Sequence, residues 1–166
     1  MSRQVLDGNK SFFKSVEDSN YMTREHGRVA CATLVKEIPA DGDHLVIQDY
    51  ESGSTIFMDC SAADAAGTIA LPLPEVGLNY RIIASADWAA QTIVMSSWSN
   101  AATRAAVATI FYGVLMDDTA NSLVGTTALT FVSGNIEKGD VIDLVSDGTG
   151  WHVVAHCATT GAVTVA

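Results

Sequence analysis

The fold of this chain is decided by the stretch Gly139-Asp-Val-Ile-Asp-Leu-Val-Ser-Asp-Gly-Thr-Gly-Trp-His-Val-Val-Ala155. On either side of Asp147-Gly148-Thr149-Gly150 it has a short run of β-branched, aliphatic and aromatic residues, which pack well on a pleated sheet. The four residues between the runs favour a tight turn, because glycine adopts the positive φ that a hairpin requires. The stretch therefore predicts a β-hairpin with strands Asp140–Ser146 and Trp151–His156.

Similar short runs, separated by turn residues such as Pro74-Glu75, extend back along the chain to about Arg28. Cys60–Ala66 is small and alanine-rich, which is consistent with one helical turn. Many short strands at this spacing predict a mainly β fold, with a β-sandwich or barrel-like body. The other predicted strands are Val29–Val35, His44–Gln48, Thr55–Met58, Gly67–Leu73, Gly77–Ser85, Gln91–Trp98, Ala105–Met116, Leu123–Val132 and Ala162–Val165.

The longest apolar run, Ala105–Met116, has a length and pattern that fit either a helix or a strand. Thr109, Ile110, Phe111 and Tyr112 lose rotamer freedom in a helix and pack well in a sheet. We therefore expect a strand.

The first residues of the chain differ from the rest, because apolar and aromatic residues are scattered among polar ones without a period. We expect an extended N-terminal arm over residues 1–36 and a β-rich body over residues 37–166. The alternative is a short amphipathic helix around Ser11–Asp18 that folds back onto the body.

Charge is distributed unevenly along the 166 residues, whose net charge is −10. Residues 1–36 hold six basic and four acidic groups, whereas residues 37–166 hold three basic and fifteen acidic groups. An acidic body repels phosphate backbones and stays soluble, so we expect no nucleic-acid partner. The arm would be attracted to an acidic surface.

The sequence also gives expectations about secretion, membrane insertion and the redox compartment in which the protein folds. The first twenty residues contain no apolar secretion signal, and no apolar run reaches the roughly 18 residues of a membrane-spanning helix. Cys31, Cys60 and Cys157 are an odd, widely spaced set, which argues against a disulfide framework. We expect no membrane partner and synthesis in a reducing cytoplasm.

Candidate metal ligands are few. His152 and His156 would point to the same face of one strand but lie about 13 Å apart, too far to share one zinc ion. Cys157 would point to the opposite face. The acidic pairs Asp41/Asp43 and Asp117/Asp118 lack the pattern of a calcium-binding loop. We predict no metal site and no cofactor.

Catalytic motifs are equally weak, since neither a Gly-x-Ser-x-Gly elbow nor a recognisable Cys/His pair occurs. Trp88, Trp98 and Trp151 are interpreted as core or interface anchors, with a carbohydrate-binding platform as the alternative. We predict no catalytic residues and expect a protein that is not an enzyme.

Two stretches resemble structural proteins of tailed bacteriophages. One is Thr68-Ile-Ala-Leu-Pro followed by Gly77-Leu-Asn-Tyr-Arg-Ile-Ile, and the other is the Gly139–Ala155 stretch quoted above. Together they cover about residues 67–157. Among such proteins, a short acidic chain with a polar arm most resembles a capsid decoration, or cement, protein.

The resemblance implies a homotrimer on the outer surface of the virion, made in the host cytoplasm and bound to the major capsid protein. The arm would lie across neighbouring capsid subunits. The residues expected to bind the capsid are four apolar anchors and four basic groups: Phe12, Phe13, Tyr21, Met22, Lys10, Lys14, Arg24 and Arg28.

Two other functions stay open. A head-fibre or tail-fibre tip that binds a host glycan would expose aromatic residues on the body. A small hydrolase acting on a cell-wall or capsular polymer would need carboxylates or a triad that converge in a cleft.

Overall fold

The computed structural model of the protein describes residues 33–38, 44–88, 91–99, 106–116 and 120–165. Within these ranges the chain is mainly β, as the sequence predicts, and its strands form two sheets. The strands are β1 (Thr33–Glu37), β2 (His44–Val46), β3 (Ser54–Asp59), β4 (Gly67–Leu71), β5 (Asn79–Ala84), β6 (Ile93–Trp98), β7 (Ala106–Val107), β8 (Ile110–Met116), β9 (Ala120–Thr126), β10 (Leu129–Phe131), β11 (Val141–Ser146), β12 (Gly150–His156) and β13 (Val163–Val165).

Both sheets mix parallel and antiparallel strands. In the described part of the chain, the first sheet has seven strands in the order β1-β3-β5-β11-β12-β8-β9. The second has six, in the order β13-β10-β6-β4-β2, with β7 paired to β6. One turn of 3-10 helix, Asp49–Glu51, follows β2.

The first six strands alternate between the two sheets. β1, β3 and β5 are parallel neighbours in the seven-stranded sheet, and β2, β4 and β6 are parallel neighbours in the six-stranded sheet. Parallel neighbours need a crossover connection, and here each crossover is a strand of the opposite sheet. This part of the chain therefore winds in three coils around the space between the sheets.

The predicted hairpin is confirmed. β11 and β12 pair in antiparallel register from Val141 opposite His156 to Ser146 opposite Trp151. Gly148 has a φ of 92°, and Asp147 Oδ1 accepts hydrogen bonds from the amides of Thr149 and Gly150 at 2.8 and 2.9 Å. The loop thus satisfies its own backbone donors through the aspartate side chain.

One core fills the space between the sheets, so the body is a β-sandwich. Alternate residues of β3, β5, β11 and β12 point inward from the first sheet, and those of β4, β6 and β10 meet them from the second. Trp151 of β12 is fully buried, and its Nε1 donates to Ser97 Oγ of β6 at 2.9 Å. This hydrogen bond satisfies the only polar atom of the indole ring and joins the two sheets through the core.

A buried carboxylate organises the segments next to β11. Asp140 is 5% exposed, and its two oxygens accept from the amides of Glu137 at 3.0 Å and Ala158 at 2.9 Å. Because a buried carboxylate needs such donors, Asp140 fixes the chain before β11 to the chain after β12.

A lysine links the terminal strands of the two sheets. From β1, Lys36 Nζ donates to the carbonyl oxygen of Val46 in β2 at 3.0 Å and lies 2.8 Å from Glu51 Oε1. The Lys36 and Glu51 side chains are only 16% and 11% exposed. An inward-pointing charge on a terminal strand discourages the addition of a further strand.

The structure corrects four expectations drawn from the sequence. Residues 33–36, assigned above to the arm, belong to β1 in the sheet, whereas residues 1–32 lie outside the described residues. The single strand expected over Leu123–Val132 is two strands in different sheets, β9 and β10. Between them Thr126 Oγ1 donates to the carbonyl oxygen of Ala128 at 2.9 Å, which turns the chain from one sheet to the other.

The other two corrections have similar local causes. Within the predicted strand Ala105–Met116, the described residues 106–107 and 110–116 are β-strands as expected, but β7 lies in the six-stranded sheet and β8 in the other. The helical turn expected over Cys60–Ala66 is absent from these described residues, because Asp59 Oδ1 accepts from the Ser61 amide at 2.8 Å and begins a tight turn instead. One isolated helical turn also fixes many dihedral angles for one hydrogen bond.

The approach of β8 to β12 depends on a glycine. Gly113 pairs with Val153 and has a φ of 146°, and a Cβ at this position would overlap the Val153 carbonyl oxygen. Gly134 also has a positive φ, of 71°, but a Cβ there would meet nothing within 4 Å. Substitutions at the two glycines therefore distinguish the cost of backbone strain alone from the cost of strain combined with steric overlap.

We predict that Gly113→Ala destabilises the fold far more than Gly134→Ala. Backbone strain alone costs about 1–2 kcal/mol in Gly134→Ala, whereas Gly113→Ala must also separate two central strands and costs more than ~3 kcal/mol. Urea unfolding of both variants measures the difference. Equal losses of stability would contradict the tight packing of β8 against β12.

Candidate functional site

The outward-facing side of the seven-stranded sheet is unusually apolar. Six of the ten large hydrophobic residues that are exposed in the described part of the chain point outward from this sheet. With their exposed fractions they are Val35 (78%), Val145 (50%), Met116 (44%), Val154 (40%), Tyr112 (38%) and Val114 (37%). Single exposed hydrophobics are ordinary, but a cluster on one face indicates a contact surface.

Strand register arranges this surface, which we call the outer face, in three rows. The residues of a row are partners on adjacent strands, so their side chains lie side by side. The apolar row is Val35, Phe57, Ile83, Val141, His156 and Met116; the middle row is Thr33, Thr55, Arg81, Asp143, Val154, Val114 and Ser122; the third row is Asn79, Val145, His152 and Tyr112.

The rows contain one ion pair, Arg81 and Asp143, whose opposite charges cancel. Arg81 Nε and Nη2 donate to the two carboxylate oxygens of Asp143 at 2.7 and 2.8 Å. These hydrogen bonds, together with the carboxylate charge, raise the pKa of the Arg81 guanidinium above its usual value. The three rows therefore carry no net charge when His152 and His156 are neutral.

One end of the outer face holds a small polar cluster. His152 Nε2 lies 3.0 Å from Asp147 Oδ2, and its ring stacks on Tyr112 with centroids 5.9 Å apart. The hydrogen bond with His152, followed by those from Thr149 and Gly150, holds the pKa of Asp147 well below its usual range. The Thr149 hydroxyl donates to Asp147, so it is not oriented toward the His152 imidazole. The cluster therefore serves to fix the hairpin loop.

The structure also locates the residues that were considered above as metal ligands or as a carbohydrate platform. His152 and His156 are exposed on the same face, as predicted, while Cys157 packs against the core. Trp88, Trp98 and Trp151 are at most 6% exposed, which agrees with their interpretation as core residues. Among the described residues, no three His, Cys, Asp or Glu side chains come together as possible metal ligands.

A groove of about 310 Å³ lies beside β2 and β4, away from the outer face. Asp49, Glu75, Gln48 and Trp98 are among its lining residues. Beneath it, Tyr80 Oη donates to the Gln48 carbonyl oxygen at 3.0 Å. Burial, and then the charges of Asp49, Glu51 and Glu75, raise the pKa of the Tyr80 phenol, so this hydroxyl stays protonated.

The predicted capsid-binding residues lie outside the described residues. These are Phe12, Phe13, Tyr21, Met22, Lys10, Lys14, Arg24 and Arg28. Sequence reasoning missed the outer face, although a signal for it exists. β11 and β12 contain adjacent apolar residues, such as Leu144-Val145 and Val153-Val154, and this pattern is typical of strands covered on both faces.

Comparison with known proteins adds no relative. No protein-family model, curated protein or solved structure matches the chain. In the described ranges, no helix has the length and apolar character needed to cross a bilayer.

One nucleophile is sealed in the core. Cys60 is fully buried, and burial, followed by the neighbouring charge of Asp59, raises the pKa of its thiol to about 12. A thiolate is the reactive form of cysteine, and almost none exists at neutral pH with such a pKa. Cys60 therefore packs as a small hydrophobic side chain.

We predict that Cys60 resists alkylation in the folded protein. Iodoacetamide at pH 8, followed by peptide mass spectrometry, should leave Cys60 unmodified, and urea should expose it to complete modification. Rapid labelling of Cys60 in the native protein would contradict its burial.

Proposed function

We propose that this protein is a structural protein of a tailed-phage virion, acting as a capsid decoration protein. It would bind the outside of the assembled head as a homotrimer and stabilise the head by bridging major capsid subunits. The arm would supply the contacts with the capsid, and the β-sandwich would be the outward-facing body.

The observation that carries this proposal is the position of the two stretches that resemble phage proteins. Fifty-five residues separate Gly77–Ile83 from Gly139–Ala155, yet β5, β11 and β12 are adjacent strands. Tyr80 pairs with Leu144, and the Arg81–Asp143 ion pair joins the two strands. Most of the resemblance therefore falls on three adjacent strands at the centre of the seven-stranded sheet, whereas Thr68–Leu71 belongs to β4 in the other sheet.

Charge supports the outward placement of the body. Residues 37–166 hold fifteen acidic and three basic groups, so the body is repelled by packaged DNA. The six basic groups of residues 1–36 favour contact with an acidic capsid surface, and aromatic anchors such as Phe12 and Phe13 would give that contact its strength.

The mechanism would be thermodynamic. A ligand that binds the assembled shell and not its separate subunits stabilises the shell by mass action, by about 2.7 kcal/mol per site at a free concentration 100 times Kd. Three arms on one trimer would act together, because the first contact raises the effective concentration of the others.

A second candidate function is a fibre tip that binds a host glycan. Its support is the groove beside β2 and β4, where carboxylate, amide and indole groups meet. Tyr50, directly after the lining residue Asp49, is 75% exposed and could stack on a sugar ring.

We predict that purified virions of the encoding phage contain hundreds of copies of this protein. A decoration protein occupies repeated positions of the lattice, whereas a fibre tip occupies few. Quantitative mass spectrometry against the major capsid protein measures the ratio. A handful of copies per particle would contradict the decoration role and favour the fibre tip.

Binding to heads tests the arm directly in the full-length chain. Heads lacking the protein should bind the double variant Phe12→Ala/Phe13→Ala at least about tenfold more weakly than wild type, since two anchors are lost. Tyr50→Ala is the matched control, because it removes an exposed aromatic side chain from the body, and it should bind normally. Unchanged binding by the double variant would remove these anchors from the mechanism.

A further inference from the structure

We propose that the outer face of the seven-stranded sheet is a self-association surface, and that its occupant is a second copy of this chain. The proposal concerns the purified protein and does not depend on binding to a capsid. It would also give the proposed oligomer its interface.

The composition of the face is the first argument. Val35, Tyr112, Val114, Met116, Val145 and Val154 each expose more than a third of their surface on the same side of one sheet. Neighbours in the rows, such as Val154 and Val114, are strand partners, so the exposed apolar side chains are contiguous. Such a patch costs free energy in water, and this cost is relieved when another surface covers it.

The size of the face fits a stable contact. Adjacent strands lie about 4.8 Å apart, so a seven-stranded sheet spans about 29 Å. Three rows, each two residues apart, span about 13 Å between backbones and about 20 Å with their side chains. The resulting footprint of roughly 600 Å² approaches the ~800 Å² that each partner buries in an interface of standard size.

Charge identifies the occupant. The chain has a net charge of −10, so two copies repel each other over most of their surfaces. Within the three rows, the only formally charged side chains are Arg81 and Asp143, which pair with each other. Glu37 and Asp59, which are partners two residues beyond Val35 and Phe57, add negative charge at one corner of this side of the sheet. A strongly basic partner would gain little here and would be attracted to the acidic remainder of the body. A second copy, in contrast, can approach most closely through the three rows, which carry no net charge.

Two β-sheets that pack face to face lie about 10 Å apart, with side chains interdigitating between them. The outer face can form such a layer because its apolar side chains are mainly β-branched and stand on a regular sheet. The angle between adjacent faces then decides whether the assembly closes with two copies or three.

The test is sedimentation of the full-length protein at concentrations up to about 100 µM, at which a contact with a Kd of ~1 µM is nearly saturated. The wild type should sediment as a multiple of the 17.5 kDa chain. Val154→Lys places a charge at the centre of the face and should weaken association at least about 100-fold. Val114→Lys, on the neighbouring strand, should have the same effect.

Val165→Lys is the matched control. Val165 is 56% exposed on β13, so the variant adds the same charge in the other sheet, at a valine more exposed than Val154 or Val114. It should associate as the wild type does, and circular dichroism should show that all three variants are folded.

Three results would overturn the proposal. These are a monomeric wild type at the highest concentration, association that survives both Val154→Lys and Val114→Lys, and equal disruption by Val165→Lys. A protein that self-associates through this face but does not bind heads would refute only the proposed function.

Discussion

The fold depends on closing two sheets over one core, and the Trp151 indole ring is the side chain that makes this closure specific. Apolar contact alone is non-directional, so it would tolerate sliding of one sheet over the other. The hydrogen bond from Trp151 Nε1 to Ser97 Oγ fixes β12 against β6, and it leaves neither polar group unpaired in a buried site. Tyr80, whose ring lies 5.7 Å from that of Trp151, holds the indole from the adjacent side.

The core uses one face of each strand, and the opposite face of the seven-stranded sheet carries six exposed large apolar side chains. β8, β11 and β12 carry exposed apolar residues as well as buried ones, whereas antiparallel strands with one wet face normally alternate between apolar and polar residues. The Arg81–Asp143 pair removes net charge from this surface without removing its polarity. The sandwich therefore presents a partly apolar surface, with three rows of no net charge, on an acidic protein.

The sequence predicts the local elements well, because turn residues and β-branched runs act at short range. The β11–β12 hairpin follows from Asp147-Gly148, and the strand character of Ile110–Met116 follows from its β-branched and aromatic residues. The sheet to which each strand belongs is set by contacts distant in sequence. For this reason the division of Leu123–Val132 between two sheets was not foreseen, and neither was the outer face, whose rows combine residues from seven strands. The expected capsid-binding residues lie before Thr33, outside the described part of the chain.

Hydrogen–deuterium exchange of the purified protein tests most directly whether the two sheets form one cooperative core. Amides that open only on global unfolding all report the same free energy. We predict that the slowest amides of β12 and those of β6, on opposite sides of the Trp151–Ser97 hydrogen bond, give the same opening free energy and lose it together as urea is added. Opening of the β6 amides at a clearly lower free energy, while β12 stays protected, would contradict the shared core.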